Sequence, residues 1–207
     1  MNKYFVTAIG TDSGKTLFSA ILTEALQADY WKPVQSGEPA DSNTIRKLLV
    51  NNKSKVLKER HFLKTPASPH AAAAIDGVEI KLSDFELPRH DGPLVVEGAG
   101  GLLVPLNDEE TIADMIKQLD LPVILVSNLY LGNINHTLLS YEYLKKEQIK
   151  VAGIVFNGPS NHASEKVILK MTGLKLLLKI EQENEINHEV ITRYAQILKE
   201  NLSKLKN

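Results

Sequence analysis

The chain has 207 residues, 43 % of them apolar and 24 % charged, with a formal net charge of −1 and no cysteine. That composition supports a full hydrophobic core, and the interspersed charge leaves no footprint for nucleic acid or an anionic membrane. Without cysteine there is no disulfide framework, no thiol catalysis and no thiolate-bound zinc or iron–sulfur centre. The first apolar run, 4–9, reads as a strand and 15–28 as the helix after it. A shorter strand is predicted at 30–35 and a helix near 42–51. Residues 52–93, with Pro66, Pro69, Pro88 and Pro93, are the least regular and are expected to wrap one edge of a site. Beyond them, strands at 94–97, 122–127, 151–156 and 174–180 alternate with helices near 111–119, 134–147, 163–172 and 188–205.

Several of these strands are apolar on successive residues, as strands buried on both faces are. The alternation predicts one α/β domain over 1–207, a doubly wound, mainly parallel sheet with helices on both faces. Ligands of such sheets lie outside the carboxyl ends of the strands. No apolar run approaches the ~18 residues of a membrane span, and no signal-like segment precedes the first strand. A cytoplasmic location without membrane or nucleic-acid partners is expected. The last helix carries Ile191, Tyr194, Ile197, Leu198 and Leu202, a stripe that suits docking on the sheet better than a membrane surface. Six histidines, at 61, 70, 90, 136, 162 and 188, show no metal-ligand spacing.

The segment Gly10-Thr11-Asp12-Ser13-Gly14-Lys15-Thr16 joins the first strand to the first helix. Such a turn aims several backbone N–H groups at one point, at the positive end of a helix dipole. Lys15 is placed to meet β- and γ-phosphates and the Thr16 hydroxyl to ligate Mg²⁺. The first glycine of the usual G-x-x-x-x-G-K-[ST] pattern falls at Ile9, so the loop is a deviant one. Asp12 either orients a donor or the metal, or caps the helix.

Lys32 and Ser36, in Lys32-Pro33-Val34-Gln35-Ser36-Gly37, end the second strand and reach the same crevice, although alone such a lysine is more often a surface residue. Val95-Val96-Glu97-Gly98-Ala99-Gly100-Gly101 is an apolar strand ending in a carboxylate and then a glycine-rich turn, as at a Walker B-type metal site. A buried glutamate is costly unless a metal or donors compensate it. Leu131-Gly132-Asn133-Ile134-Asn135-His136 opens a helix and presents either an anion seat or an ordinary loop with an asparagine cap.

Taken in order, with Ser68-Pro69-His70 between them, these segments resemble the dethiobiotin synthetase family over roughly residues 3 to 158. The resemblance implies ATP- and Mg²⁺-dependent ring closure, in which 7,8-diaminononanoate and CO₂ give dethiobiotin, ADP and phosphate. It implies that Lys15 and Lys32 flank the transferring phosphoryl group. Asp12, Ser13, Gly14, Lys15, Thr16 and Leu17, together with Glu97, Gly98, Ala99 and Gly100, would hold the nucleotide, with Asn157 on the adenine. Thr11 and Ser36, with the Gly98 and Gly100 backbone, would take the carbamate and diamine. Gly132, Asn133, Ile134 and Asn135 would take the distal carboxylate across a homodimer interface.

Thr16, Asp41 and Glu97 would bind Mg²⁺. The family's metal aspartate aligns with Asn43, and Asp41, two residues earlier, is the favoured substitute. At 180–186 the family's proline-containing adenine loop is replaced by a glutamate-rich stretch, which loosens the expected base preference. The alternative is a regulatory P-loop switch ATPase of the partitioning or division-positioning type. Those proteins carry an extra lysine where this chain has Gly10.

Overall fold

The structure is a computed structural model that describes residues 2–89 and 92–204. His90 and position 205, the end expected for the last helix, lie outside them. In chain order the strands are β1 (Lys3–Ala8), β2 (Asp29–Trp31), β3 (Val34–Ser36), β4 (His61–Leu63), β5 (Leu94–Gly101), β6 (Val123–Asn128), β7 (Val151–Asn157) and β8 (Leu176–Ile180). The helices are α1 (Lys15–Leu26), α2 (Asp41–Leu48), α3 (Pro69–Asp76), α4 (Ile112–Leu119), α5 (Asn133–Lys146), α6 (His162–Thr172) and α7 (His188–Lys204). Six strands pair in parallel in the order β2-β5-β1-β6-β7-β8, and β3 and β4 form a separate parallel pair. The order reverses at β1, so the loop after it opens at the point where such sheets bind ligands.

Successive residues of the central strands point to opposite faces, and each face is covered. Val6, Tyr30 and Val95 pack with Phe18 and Ile21 of α1 and Ile191 and Leu198 of α7. Phe5, Trp31 and Val96 pack on the other side with Ile112 and Ile116 of α4 and Leu144 of α5. The stripe on α7 therefore docks on the core, with Val190, Ile191, Tyr194, Ala195 and Leu198 buried.

Three expectations from the sequence change. The predicted strand 30–35 divides into β2 and β3, in different sheets. Pro33 has no N–H to give a ladder and restricts Lys32 before it; its carbonyl instead accepts from the His61 N–H. The expected turn at Gly98–Gly101 is a continuation of β5, in which Val6 pairs with Glu97 but Ala8 with Gly101. That slip is a bulge, tolerated because Gly100 takes φ +64°, where a side chain would press on Val104. The predicted helix 42–51 stops at Leu48, because the Glu24 carboxylate captures the N–H groups of Val50 and Asn51 at 2.9 and 3.0 Å. Within 52–93, β4 and α3 are regular, and Asp76 at the end of α3 accepts from the Thr65 hydroxyl at 2.6 Å and from the Lys64 and Thr65 N–H groups.

Candidate active site

The loop between β1 and α1 is held from across the sheet. Asn157, ending β7, donates from Nδ2 to the Ser13 carbonyl at 3.2 Å. Gly14 stands at φ +89°, and a Cβ there would come within 2.3 Å of the Asn157 amide, so only glycine fits. The first bond of α1 runs from the Phe18 N–H to the Gly14 carbonyl, so the amides of Lys15, Thr16 and Leu17 come before the helix ladder begins. The Leu17 side chain packs on the core, which leaves its backbone alone for a ligand. Asp12 is exposed and does not cap α1, so its capping alternative falls away.

Lys15 is buried and donates to the Gly10 carbonyl at 3.1 Å. Burial lowers its pKa to about 8; Glu97 works against that shift and Lys32 adds to it. Glu97 itself is wholly buried. Its Oε1 accepts from the Thr16 hydroxyl at 2.9 Å and from Lys32 Nζ at 3.0 Å, and its Oε2 from the Tyr30 hydroxyl at 2.9 Å. The Lys32 ammonium also meets Asp41 and, at 3.3 Å, the Gly98 carbonyl. Burial pulls the Lys32 pKa down, but Glu97 and Asp41 together hold it above its ordinary value, so it stays charged. Burial and the neighbouring Glu97 push the Tyr30 phenol well up, so it remains a donor.

One cavity of about 690 Å³ gathers Lys15, Thr16, Lys32, Asp41 and Glu97. Thr11, Asp12, Ser13, Gly14, Lys15, Thr16, Lys32, Ser36, Asp41, Glu97, Ala99 and Gly100 all line it. The Ser36 hydroxyl oxygen is buried without a hydrogen-bond partner among the described residues. Asp41 opens α2, its N–H fixed by Gln35 Oε1 at 3.0 Å, while Asn43 accepts from Arg46 on the exposed side. Sequence reasoning missed Tyr30 and Gln35. The signal for Tyr30 was its place two residues before Lys32, on the same face of an extended segment.

Among the described residues no group of three or more His, Asp or Glu side chains is arranged to hold a metal ion. Two carboxylates still meet at the Lys32 ammonium, and the Thr16 hydroxyl meets one of them, Glu97. That all-oxygen set suits a hard cation whose remaining positions are filled by water and phosphate.

Other expected groups lie away from the cavity. Gly98 turns its carbonyl to Lys32 and does not line the cavity, and Asn157 touches only the back of the loop. The start of α5 is also apart from it. There Gly132 has φ +107°, Ile134 packs near Phe156 and Ile168, and the buried Asn133 Nδ2 has no partner among the described residues. Leu131 is fully exposed beside it, with Tyr130 43 % and Leu139 61 % exposed. In the 181–186 segment, Glu183 is taken up by Arg193 at 2.5 Å and by the Tyr194 hydroxyl at 2.6 Å.

Residues 2–190 match a family model described as an AAA domain. Over 203 residues the chain is 60 % identical to the ATP-dependent dethiobiotin synthetase BioD of Cytophaga hutchinsonii, covering 97 % of this chain and 98 % of that one. It is 48 % identical over 204 residues to the protein of the same name from Christiangramia forsetii, with 98 % of each covered. Among solved structures it is similar to the cell division ATPase MinD of Pyrococcus furiosus, at TM-score 0.60 and 16 % identity over 99 % of this chain and 100 % of that one. A plasmid partition protein from Borrelia burgdorferi gives TM-score 0.58 and 13 % identity, with 98 % of each chain covered. At such identities these two bear on the fold alone, a P-loop NTPase-like α/β sheet.

Proposed function

The chain belongs to the dethiobiotin synthetase family, and from that premise we propose how its own residues perform ATP-dependent closure of 7,8-diaminononanoate and CO₂ to dethiobiotin, ADP and phosphate. The observation that carries the reading is that Thr16 and Lys32, from two separate segments, both donate to Glu97 Oε1, at 2.9 and 3.0 Å, at the wall of one cavity. The amides before the α1 ladder and the Lys15 ammonium receive the β- and γ-phosphates. Thr16, Asp41 and Glu97 would hold Mg²⁺, which neutralises charge on the transferring phosphoryl group. Lys32 is a fixed cation there and not a proton acceptor, because its two carboxylate neighbours keep it charged.

The chemistry needs little else from the protein. One amine of the substrate adds to CO₂ and loses a proton, giving a carbamate. Its oxygen attacks the γ-phosphorus and expels ADP, leaving a carbamic–phosphoric anhydride. The second amine closes on the carbonyl, phosphate leaves, and a cyclic urea remains. Positioning and charge neutralisation account for such a sequence. Thr11 and the unpartnered Ser36 hydroxyl are the donors set for the carbamate and diamine. Gly98 contributes indirectly, by fixing Lys32.

The start of α5, with its orphan Asn133 amide and the exposed Leu131, Tyr130 and Leu139, supports a homodimer in which that helix receives the substrate carboxylate of the other subunit. No described helix is long and apolar enough to cross a membrane. The test is ATP hydrolysis in the presence and absence of diamine and bicarbonate, with dethiobiotin followed by mass spectrometry. Turnover that ignores the diamine would point to a switch ATPase and overturn the assignment.

A further inference from the structure

Tyr30 lies outside the cavity, yet its hydroxyl donates to Glu97, 67 residues away, at 2.9 Å with both groups wholly buried. The terminal torsion of a glutamate is soft and nearly two-fold, so packing alone does not decide which oxygen faces which neighbour. A donor on one oxygen does decide it. The strand register puts that donor in place: Tyr30 pairs with Val95, and Glu97 follows two residues on along the same face of β5. The Tyr30 backbone is fixed in turn, its N–H donating to the Lys55 carbonyl and its carbonyl accepting from the Leu57 N–H, both at 2.8 Å.

We infer that Tyr30 is a positioning residue for the metal–phosphate centre: its phenol holds Glu97 Oε2 so that Oε1 stays turned to Thr16, Lys32 and the cavity. The inference rests on the reading that Glu97 serves the metal. It divides the carboxylate into one structural oxygen and one working oxygen, and it makes a core tyrosine part of the site. A tyrosine kept only for packing would need its ring and not its hydroxyl.

The test separates this inference from the reading beneath it. Manganese(II) binding to the ADP complex is followed by electron paramagnetic resonance in the native protein, Tyr30→Phe and Glu97→Gln, with metal-free ADP affinity measured by calorimetry. Tyr30→Phe should weaken manganese binding roughly tenfold or more, as loss of an outer-shell partner does, while metal-free ADP affinity is kept. Weakening in Glu97→Gln with native affinity in Tyr30→Phe overturns the role of Tyr30 alone. Native affinity in Glu97→Gln overturns the metal reading of Glu97 and this inference with it.

A second measurement avoids any loss of folding in Tyr30→Phe. With 3-fluorotyrosine placed at position 30, addition of Mg²⁺ to the ADP complex should shift the fluorine resonance. A resonance that Mg²⁺ leaves unmoved overturns the coupling.

Discussion

The phosphate-loop end of the sheet and the start of α5 are both seats for anions, but they differ in how complete they are within one chain. At the loop, the Lys32 ammonium already pairs with both Glu97 and Asp41, and Lys15, Lys32 and Glu97 are all buried. At α5 the Asn133 amide nitrogen is buried without a partner among the described residues, and a leucine beside it stands fully in solvent. The difference shows where the ligands come from. Small charged ligands enter a site that this chain preorganises by itself, whereas an unpartnered apolar edge needs a second surface to complete it.

The sharpest way to break the comparison is Lys32→Ala. Removing this cation should cut ring closure on the order of 10²–10³-fold, as loss of a preorganised charge does. It should also cost about 3–5 kcal/mol of stability, because Glu97 is left buried without its cation. Steady-state turnover and thermal unfolding read the two effects; near-native turnover would remove Lys32 from the chemistry. On the other side, Leu131→Asp should give monomers in sedimentation and lower diamine turnover by at least about tenfold, if the interface anchor is central. ADP binding should stay native in that variant. A dimer that persists with full activity would mean that the α5 edge is not the contact.

The metal side can be sharpened at α2. Asp41→Ala should raise the Mg²⁺ requirement of the reaction by roughly tenfold or more, and Asn43→Ala should leave it unchanged because Asn43 faces Arg46. Equal Mg²⁺ curves for both variants would take Asp41 out of the site. The smallest effect is expected at the clasp under the cavity rim, where Asp76 holds Lys64 and Thr65 just before Pro66, Ala67 and Ser68 of the lining. The Thr65 hydroxyl, with the Lys64 and Thr65 amides, lowers the Asp76 pKa. Its stabilisation is therefore present above the unfolded carboxylate pKa of about 3.9 and is lost as pH falls through the lower folded value. Asp76→Asn should flatten that acid branch of a melting-temperature profile by a small amount. An acid branch of native steepness would show that the clasp does not couple to folding.

Much of the loop end was legible in the chain because its determinants are local. Gly14-Lys15-Thr16 after an apolar run specifies strand, turn and charge within a few residues, and Glu97 at the end of another apolar run specifies strand and charge, though not the turn, since β5 runs on to Gly101. The α/β alternation was equally local, since runs apolar on successive residues imply cover on both faces. The limits of β2 and β3 were not legible. Whether the chain leaves the sheet at Pro33 depends on the carbonyl of Pro33 finding His61 far along the chain. The bulge at Gly98–Gly100 was likewise hidden, because it is a relation between β5 and β1 and not a property of either strand.

By itself, the amino-acid order determined the layered α/β architecture, the phosphate loop and the identity of the charged groups, since each follows from periodicity or from residues adjacent in the chain. Only the tertiary structure decided which oxygen of Glu97 meets which donor, that Asp41 and not Asn43 faces Lys32, and that Tyr30 belongs with them. The physical reason is that a buried charge takes its orientation from every donor packed around it, and those donors come from segments that only folding brings together.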